Sequence, residues 1–221
     1  MQAAVLGNEG LLVRDDYPQP VPRPGEILVK VRRAGICETD LQLMQGYMGF
    51  RGVLGHEFVG VAQTGRFAGE RVVGEINCSC GDCATCRAGL PNHCPGRSVL
   101  GILDHDGAFA DWISVPEVNL HRVPASVPDD VAVFVEPVAA AFQIPAQLPN
   151  LAGQRVLVLG DGRLGQLCAQ VLNLVGTRLT VIGKHPRKLA ILKDQGIDTA
   201  LRGEIDPDRS ADVVVDCTGA A

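Results

Sequence analysis

Four cysteines, Cys80, Cys83, Cys86 and Cys94, follow one another with the spacing C-x2-C-x2-C-x7-C. Thiolates spaced in this way can converge on one ion from a tight turn. Four of them make the closed tetrahedral shell of structural zinc, which leaves no position for a substrate. Two other readings stay open beside it: free surface thiols, and an iron–sulfur cluster, since four thiolates also hold iron. Chemistry on a substrate needs other donors, and two stretches offer them: GICETD with Cys37, and VLGHEFVG with His56 and Glu57. Gly55, directly before His56, permits a tight backbone turn that presents the imidazole from the end of a strand. Farther along, GDGRLG at residues 160–165 is a G-x-G-x-x-G that follows an apolar strand and opens a helix. In that setting Gly160 permits the turn, Gly162 lets a pyrophosphate approach the backbone, and Gly165 lets helix and strand pack closely. Arg163 and Leu164 open the helix whose N-terminus attracts phosphate, and Arg163 adds a cation there.

The elements that must position these groups change character along the chain. The first half gives short β-segments, QAAVL, EILVKVRRAG, VLGHEFVGVA, RVVGEI and FADWISVP, punctuated by Pro and Gly clusters such as PQPVPRPGE. That pattern predicts an all-β, loop-rich module. VAVFVEPVAAAFQI is small, apolar and helix-like, and PAQLPNLAGQ after it has the composition of a hinge. From Arg155 the order is strand, glycine turn, helix, strand, helix, strand, which predicts a parallel α/β sheet. The boundary falls between 1–148 and 149–221. A complete doubly wound sheet has two mononucleotide-binding halves, so the chain is expected to lack a C-terminal portion. Cys78 is out of register with the cysteine cluster, and Cys168 and Cys217 are expected in the core.

Composition narrows the classes of partner. The 221 residues are 46% hydrophobic and 20% charged, with a net charge of -5, which is ordinary for a soluble globular protein. No basic block is present to neutralise phosphates, so neither nucleic acid nor an anionic membrane is expected as a partner. The N-terminus lacks a signal-peptide pattern, and no apolar run approaches the roughly 18 residues needed to span a bilayer. The sequence therefore predicts a cytoplasmic protein, whose cysteines are metal ligands or core thiols rather than disulfides.

Taken in order, PRPGEILVKVRRAGICETD, VLGHEFVG, the cysteine lobe, DGAFADWISVP, VEPVAAAF, GDGRLG and VVVDCTG resemble the zinc-dependent medium-chain alcohol dehydrogenase superfamily, in its polyol and threonine dehydrogenase-like branch. The resemblance implies a GroES-like catalytic domain followed by an incomplete Rossmann fold, and two zinc ions per chain, one catalytic and one structural. It implies Cys37 and His56 as catalytic zinc ligands, Glu57 as a neighbouring carboxylate that can swing on and off the metal, and Glu136 as the third protein ligand. Glu136 also has a plain structural reading, as a helix N-terminal acid ahead of Pro137. By the same resemblance Asp40 orients His56, and Thr39 passes the alcohol proton outward. The chain departs from some relatives at Gln42, where a histidine would end the proton relay.

The resemblance further implies hydride exchange between a small alcohol or polyol, or its carbonyl partner, and a nicotinamide cofactor. It also suggests, by analogy, a homodimer or homotetramer. NAD specificity usually rests on an acid at the end of the second strand, and TVIGKHPRK has Gly183 there, followed by Lys184, His185 and Arg187. That absence of a carboxylate, with cations in its place, predicts NADP over NAD. The alternative from another class is a truncated, non-catalytic relative that serves as a zinc-stabilised nucleotide-binding or scaffold protein.

Overall fold

A computed structural model describes residues 1–204 and 211–219. The chain divides into two compact units, Met1–Glu136 and Pro137–Ala221, so the division falls ahead of the hinge-like stretch.

The first unit is almost entirely β-structure. Its strands are β1 (Ala3–Gly7), β2 (Gly10–Arg14), β3 (Glu26–Gly35), β4 (Gly52–Val53), β5 (Glu57–Ala62), β6 (Arg71–Gly74), β7 (Asn77–Cys78), β8 (Ser98–Val99), β9 (Trp112–Pro116) and β10 (Leu120–Arg122). Three short helices interrupt them: α1 (Glu38–Met44), α2 (Ala84–Arg87) and α3 (Asp129–Ala132). Five strands form one antiparallel sheet in the order β10-β6-β5-β3-β9, and β2-β1-β4 form a smaller one. Alternation explains the central strand: Ile27 and Val29 of β3 point into a core shared with Phe58, Val72, Ile113 and Val115, while Lys30 between the sheets' neighbours is exposed. A register shift between Val31 and Arg33, where β3 pairs with β5, leaves Arg32 to reach Asp129 at 2.7 Å.

One β-segment differs from the sequence expectation. VLGHEFVGVA is not one strand: β4 ends at Val53 and β5 begins at Glu57. Gly55 between them has φ of 95°, a left-handed conformation that ends the ladder and turns the backbone just before His56.

The second unit contains β11 (Arg155–Leu159), β12 (Arg178–Gly183), β13 (Asp198–Leu201) and β14 (Val213–Asp216), all parallel, in the order β13-β12-β11-β14. Helices α4 (Val135–Gln147), α5 (Arg163–Leu174) and α6 (Pro186–Lys193) accompany them, α4 beginning in the first unit. Helix α5 buries Gly165, Cys168, Ala169 and Leu172, a spacing that keeps one stripe inward. That stripe packs with Val156, Val158, Val181 and Leu192. The strand order reverses between β12 and β14 on either side of β11, which places a switch point at the carboxyl end of β11, where ligands of such sheets bind. Helix α4 runs through Pro145, into the stretch expected as a hinge, because Val138, Ala141 and Ile144 pack on α5 and Leu148 N–H still reaches Ile144 O at 2.9 Å.

Candidate functional site

Cys37 is the N-cap of α1, and Asp40 stands at the third position of that helix. Asp40 is 1% exposed and its carboxylate joins three pieces of chain. Its Oδ2 accepts the Cys37 N–H at 2.8 Å, and its Oδ1 accepts the Gly55 N–H at 3.2 Å. The same Oδ1 lies 3.4 Å from His56 Nδ1, an electrostatic contact longer than a well-made hydrogen bond. Asp40 thus sets the helix start, the glycine turn and the imidazole against one another. The turn itself is crowded: a Cβ on Gly55 would stand 2.5 Å from the Phe109 ring. Thr39 is half-buried, with its Oγ1 3.7 Å from Cys37 Sγ, and Gln42 is exposed.

From this frame Cys37, His56 and Glu57 each present one ligand atom, and the three atoms lie within 4.8 Å of one another. His56 and Glu57 are 3% and 7% exposed. Hydrogen bonding from His56 holds the Cys37 thiol below its usual range against the effect of burial. Burial pulls His56 down, but Asp40 and the Cys37 thiol outweigh it and push it up to about 10. Sulfur, nitrogen and carboxylate oxygen sharing protons in a buried space fit a zinc ion, because metal binding displaces those protons from the same atoms. Glu136, at the start of α4, is half-buried and is not within that distance of all three donors. Burial pushes its carboxyl up to about 7; His56 opposes this, and Glu57, Glu75 and Asp40 add to it. Glu136 therefore shares the electrostatic field of the three donors.

The cysteine lobe is built on α2 and the turns beside it. Cys83 is the N-cap of α2, and its Sγ accepts the Cys86 N–H at 3.4 Å, which lowers the Cys83 thiol to about 7. The sulfurs of Cys83 and Cys86 are 3.5 Å apart, Cys80 and Cys94 3.5 Å, Cys83 and Cys94 3.9 Å, and Cys80 and Cys86 4.0 Å. Four sulfurs around one zinc at about 2.3 Å would be separated by about 3.8 Å along each tetrahedral edge. These four edges straddle that value, so the cluster fits one tetrahedral ion. All eight cysteines are free thiols. Cys78 is buried outside the cluster, and burial pushes its thiol up to about 11. Cys168 is buried in the second unit and Cys217 packs partly buried beside it.

In the second unit the glycine turn sits at the switch point. Gly160 has φ of 110°, a Cβ there would meet Cys217 O at 2.9 Å, and a Cβ on Gly165 would run into Gly160 O. Gly162 has open space within 4 Å of its missing Cβ. Two glycines thus close the turn onto the sheet, and the third leaves an unfilled face at the start of α5, which fits a pyrophosphate. Arg163 and Leu164 are exposed in the first turn of α5.

A cleft of about 540 Å³ opens beside this turn, lined among others by Gly162, Gly183, Lys184, His185, Lys188 and Arg202. Arg187 is exposed but does not line it. Lys188 and Arg202 were not singled out in the sequence. The signal for Lys188 was its place four residues after Lys184, one helical turn on; Arg202 has none short of the strand pairing.

Sequence reading also finds no carboxylate at the end of β12, and here the structure corrects it. Asp161, from the glycine turn, lies against Gly183 and is 6% exposed. Its Oδ2 accepts the Lys184 N–H at 2.9 Å and the His185 N–H at 2.6 Å, and its Oδ1 lies 2.9 Å from His185 Nδ1. Burial pushes its carboxyl up, but the His185 ring and these N–H groups prevail and hold it below the usual carboxylate range. A Cβ on Gly183 would stand 2.5 Å from Asp161 Oδ2, so the glycine makes room for the aspartate.

Among the described residues, no helix is long and apolar enough to cross a membrane. Residues 23–125 match the alcohol dehydrogenase GroES-like domain. The chain is 40% identical over 171 residues to L-threonine 3-dehydrogenase of Streptomyces avermitilis, a match covering 71% of this chain and 48% of that protein. It is 33% identical over 226 residues to sorbitol dehydrogenase of Halalkalibacterium halodurans, covering 93% of this chain and 66% of the relative. The chain thus spans about half to two thirds of the length of these curated relatives. Among solved structures, a protein from Sinorhizobium meliloti described as a zinc-binding dehydrogenase bound to NADP superposes with a TM-score of 0.84 and 30% identity, over 100% of this chain and 70% of that one. The RspB alcohol dehydrogenase of Escherichia coli, complexed with NADH, superposes with a TM-score of 0.88 and 29% identity, over 98% and 69%.

Proposed function

The chain belongs to the medium-chain alcohol dehydrogenase superfamily, in its threonine and polyol dehydrogenase-like branch, and on that premise we propose that it is a zinc-dependent oxidoreductase exchanging hydride between a secondary alcohol and NADP(H). The observation that carries the reading is the convergence of Cys37, His56 and Glu57 within 4.8 Å, with Asp40 behind the imidazole. Zinc at those donors supplies a Lewis acid that polarises the substrate oxygen.

The remaining work falls to the chain's own side chains. Asp40 holds the imidazole in the orientation that turns its other nitrogen toward Cys37 and Glu57. Glu136, half-buried at the start of α4, is the further carboxylate that would complete the shell as the third protein ligand. Thr39, next to Cys37, offers the hydroxyl through which the alcohol proton leaves. Exposed Gln42 does not titrate, so it does not itself end the proton relay. Gly160, Gly162 and Gly165 shape the pyrophosphate cradle. Cys80, Cys83, Cys86 and Cys94 would hold the second, structural zinc. The preference for NADP rests on the cations Lys184, Lys188 and Arg202 around the adenosine end of the cleft.

The substrate class we propose is a polyol or a β-hydroxy amino acid such as threonine, in keeping with the relatives named above. A cytoplasmic location and a homo-oligomeric state belong to the same proposal. The test is a steady-state screen of zinc-loaded protein with L-threonine, sorbitol and simple secondary alcohols, each with NADP+ and NAD+. Cofactor reduction that is lost in Cys37→Ala is expected. No reduction with any pair would overturn the reading in favour of a non-catalytic zinc protein.

A further inference from the structure

Gly35 ends β3, two residues before Cys37, and its backbone gives no reason for a glycine. Its φ lies outside the left-handed region, and the extended chain of a strand accepts any residue. The reason lies in the space beside it.

Strand β3 pairs with β5 in an antiparallel register that sets Gly35 directly opposite Glu57. Side chains at opposite positions of such a pair stand on one face, about 5 Å apart. A residue with a side chain at 35 would therefore project beside Glu57, and here Glu57 occupies that place itself. A Cβ on Gly35 would stand 3.1 Å from Glu57 Cβ and 3.2 Å from Glu57 Cδ, and would run into Glu57 Oε2. The three nearest atoms all belong to that one side chain, so the carboxylate leans across to the end of β3.

That placement brings the carboxylate to the other donors. From Gly35 the chain passes through Ile36 to Cys37, the N-cap of α1, and His56 directly precedes Glu57 at the start of β5. Neighbouring residues entering a strand point to opposite faces, yet one ligand atom of His56 and one of Glu57 lie within 4.8 Å of each other and of Cys37 Sγ. The turn at Gly55 aims the imidazole, and the empty position at Gly35 admits the carboxylate. Gly60, farther along β5, serves a different purpose: a Cβ there would stand 2.6 Å from Lys30 O, a backbone atom that cannot step aside. At Gly35 the obstacle is the end of a flexible side chain, so a methyl would leave the fold in place and turn the carboxylate away.

We propose that Gly35 is a positioning residue of the metal centre: its missing side chain is the berth that holds the Glu57 carboxylate beside Cys37 and His56. The proposal rests on the zinc reading of these donors.

The experiment compares the full chain as wild type, Gly35→Ala, Glu57→Gly and the double variant, by cobalt spectroscopy and by zinc competition with a chromophoric chelator. Neither needs turnover. Cobalt takes the place of zinc and its visible absorption reports the donor set, while the signal of the cysteine lobe is common to all forms and cancels in the differences. Gly35→Ala is expected to weaken zinc at the Cys37 site by about ten- to a hundredfold, the range for loss of a group that supports metal ligands. It should also give the cobalt spectrum of Glu57→Gly. Because Glu57→Gly removes the three atoms in the methyl's way, adding Gly35→Ala to it should change zinc affinity by less than about twofold. Equal weakening by Gly35→Ala in both backgrounds would mean that the methyl disturbs the strand rather than Glu57, and would overturn the proposal. Wild-type spectrum and affinity in Gly35→Ala would overturn it as well. If Glu57→Gly itself matches the wild type, Glu57 is no donor, and the proposal fails while the Cys37 and His56 site stands. A wild type that binds metal only at the four clustered cysteines would instead take down the zinc reading, and the proposal with it.

Discussion

Gly183→Ala tests the packing at the end of β12, where the glycine makes room for Asp161. The added methyl would stand 2.5 Å from Asp161 Oδ2 and 2.6 Å from Asp161 Cβ, so either the strand end shifts or the aspartate leaves. Overpacking of this kind costs about 1–3 kcal/mol. If the aspartate is expelled instead, the Lys184 and His185 amides lose their acceptor, which costs about 1 kcal/mol each in this exposed loop. By either route the destabilisation is about 1–3 kcal/mol. Asp161→Gly removes the same hydrogen bonds and the Cβ as well, and should cost about 2–4 kcal/mol. In that background the three side-chain atoms nearest the added methyl are gone, so Gly183→Ala should cost less than about 0.5 kcal/mol. The double-mutant cycle therefore predicts a coupling of about 1–3 kcal/mol between residues 22 positions apart. Urea unfolding, followed by hydrogen exchange at the amides of β12, measures it. Equal cost of Gly183→Ala in both backgrounds would refute the reasoning. The same geometry bears on Gly183→Asp, which sequence alone recommends as a switch to NAD. It places a second carboxylate against the first and should unfold the strand end before it changes cofactor choice.

Three further outcomes follow from the first unit. Asp40→Asn should lower zinc affinity at the Cys37 site by about ten- to a hundredfold, read by competition with a chromophoric chelator, while the cysteine lobe keeps its metal. Thr39→Ala should lower kcat without changing zinc content or nucleotide affinity, and equal kcat would remove Thr39 from the proton path. Asp129 bridges Arg71 and Arg32, both at 2.7 Å, and the Arg71 hydrogen bond leads in holding its carboxyl below the usual range against burial. With Arg32 half-exposed, Asp129→Asn should cost about 1–2 kcal/mol at neutral pH. Because the folded value is depressed, that contribution is complete above the unfolded value of about 3.9 and disappears as pH falls through the lower folded value. Wild-type and variant urea midpoints should therefore converge only at strongly acidic pH.

What the sequence discloses and what it hides divide along a physical line. The cysteine spacing and the glycine turn are legible because each is local: ligands a few residues apart must converge, and G-x-G-x-x-G needs only the strand before it and the helix after it. The β-segments EILVKVRRAG and RVLVL are legible for the same reason, through alternation and apolar runs. Asp161 against Gly183 is not legible, since their meeting depends on the parallel register of β11 with β12. Arg202 enters the cleft only through the pairing of β13 with β12. Gly55 breaks VLGHEFVGVA into two strands because Asp40 and Phe109, both distant in sequence, fix its turn. Helix α4 overrides the proline signal at Pro145 because tertiary packing on α5 outweighs one missing N–H.

The account stands most directly on the number of metal ions that the first unit holds. The measurement is the zinc-to-protein ratio of the chain purified without added metal, beside that of its Cys37→Ala variant, with circular dichroism to show that both are folded. Two zinc ions falling to one is the predicted result, with the remaining ion in the shell of Cys80, Cys83, Cys86 and Cys94. One zinc in both proteins would mean that Cys37, His56 and Glu57 gather without a metal, and would contradict the proposed dehydrogenase centre.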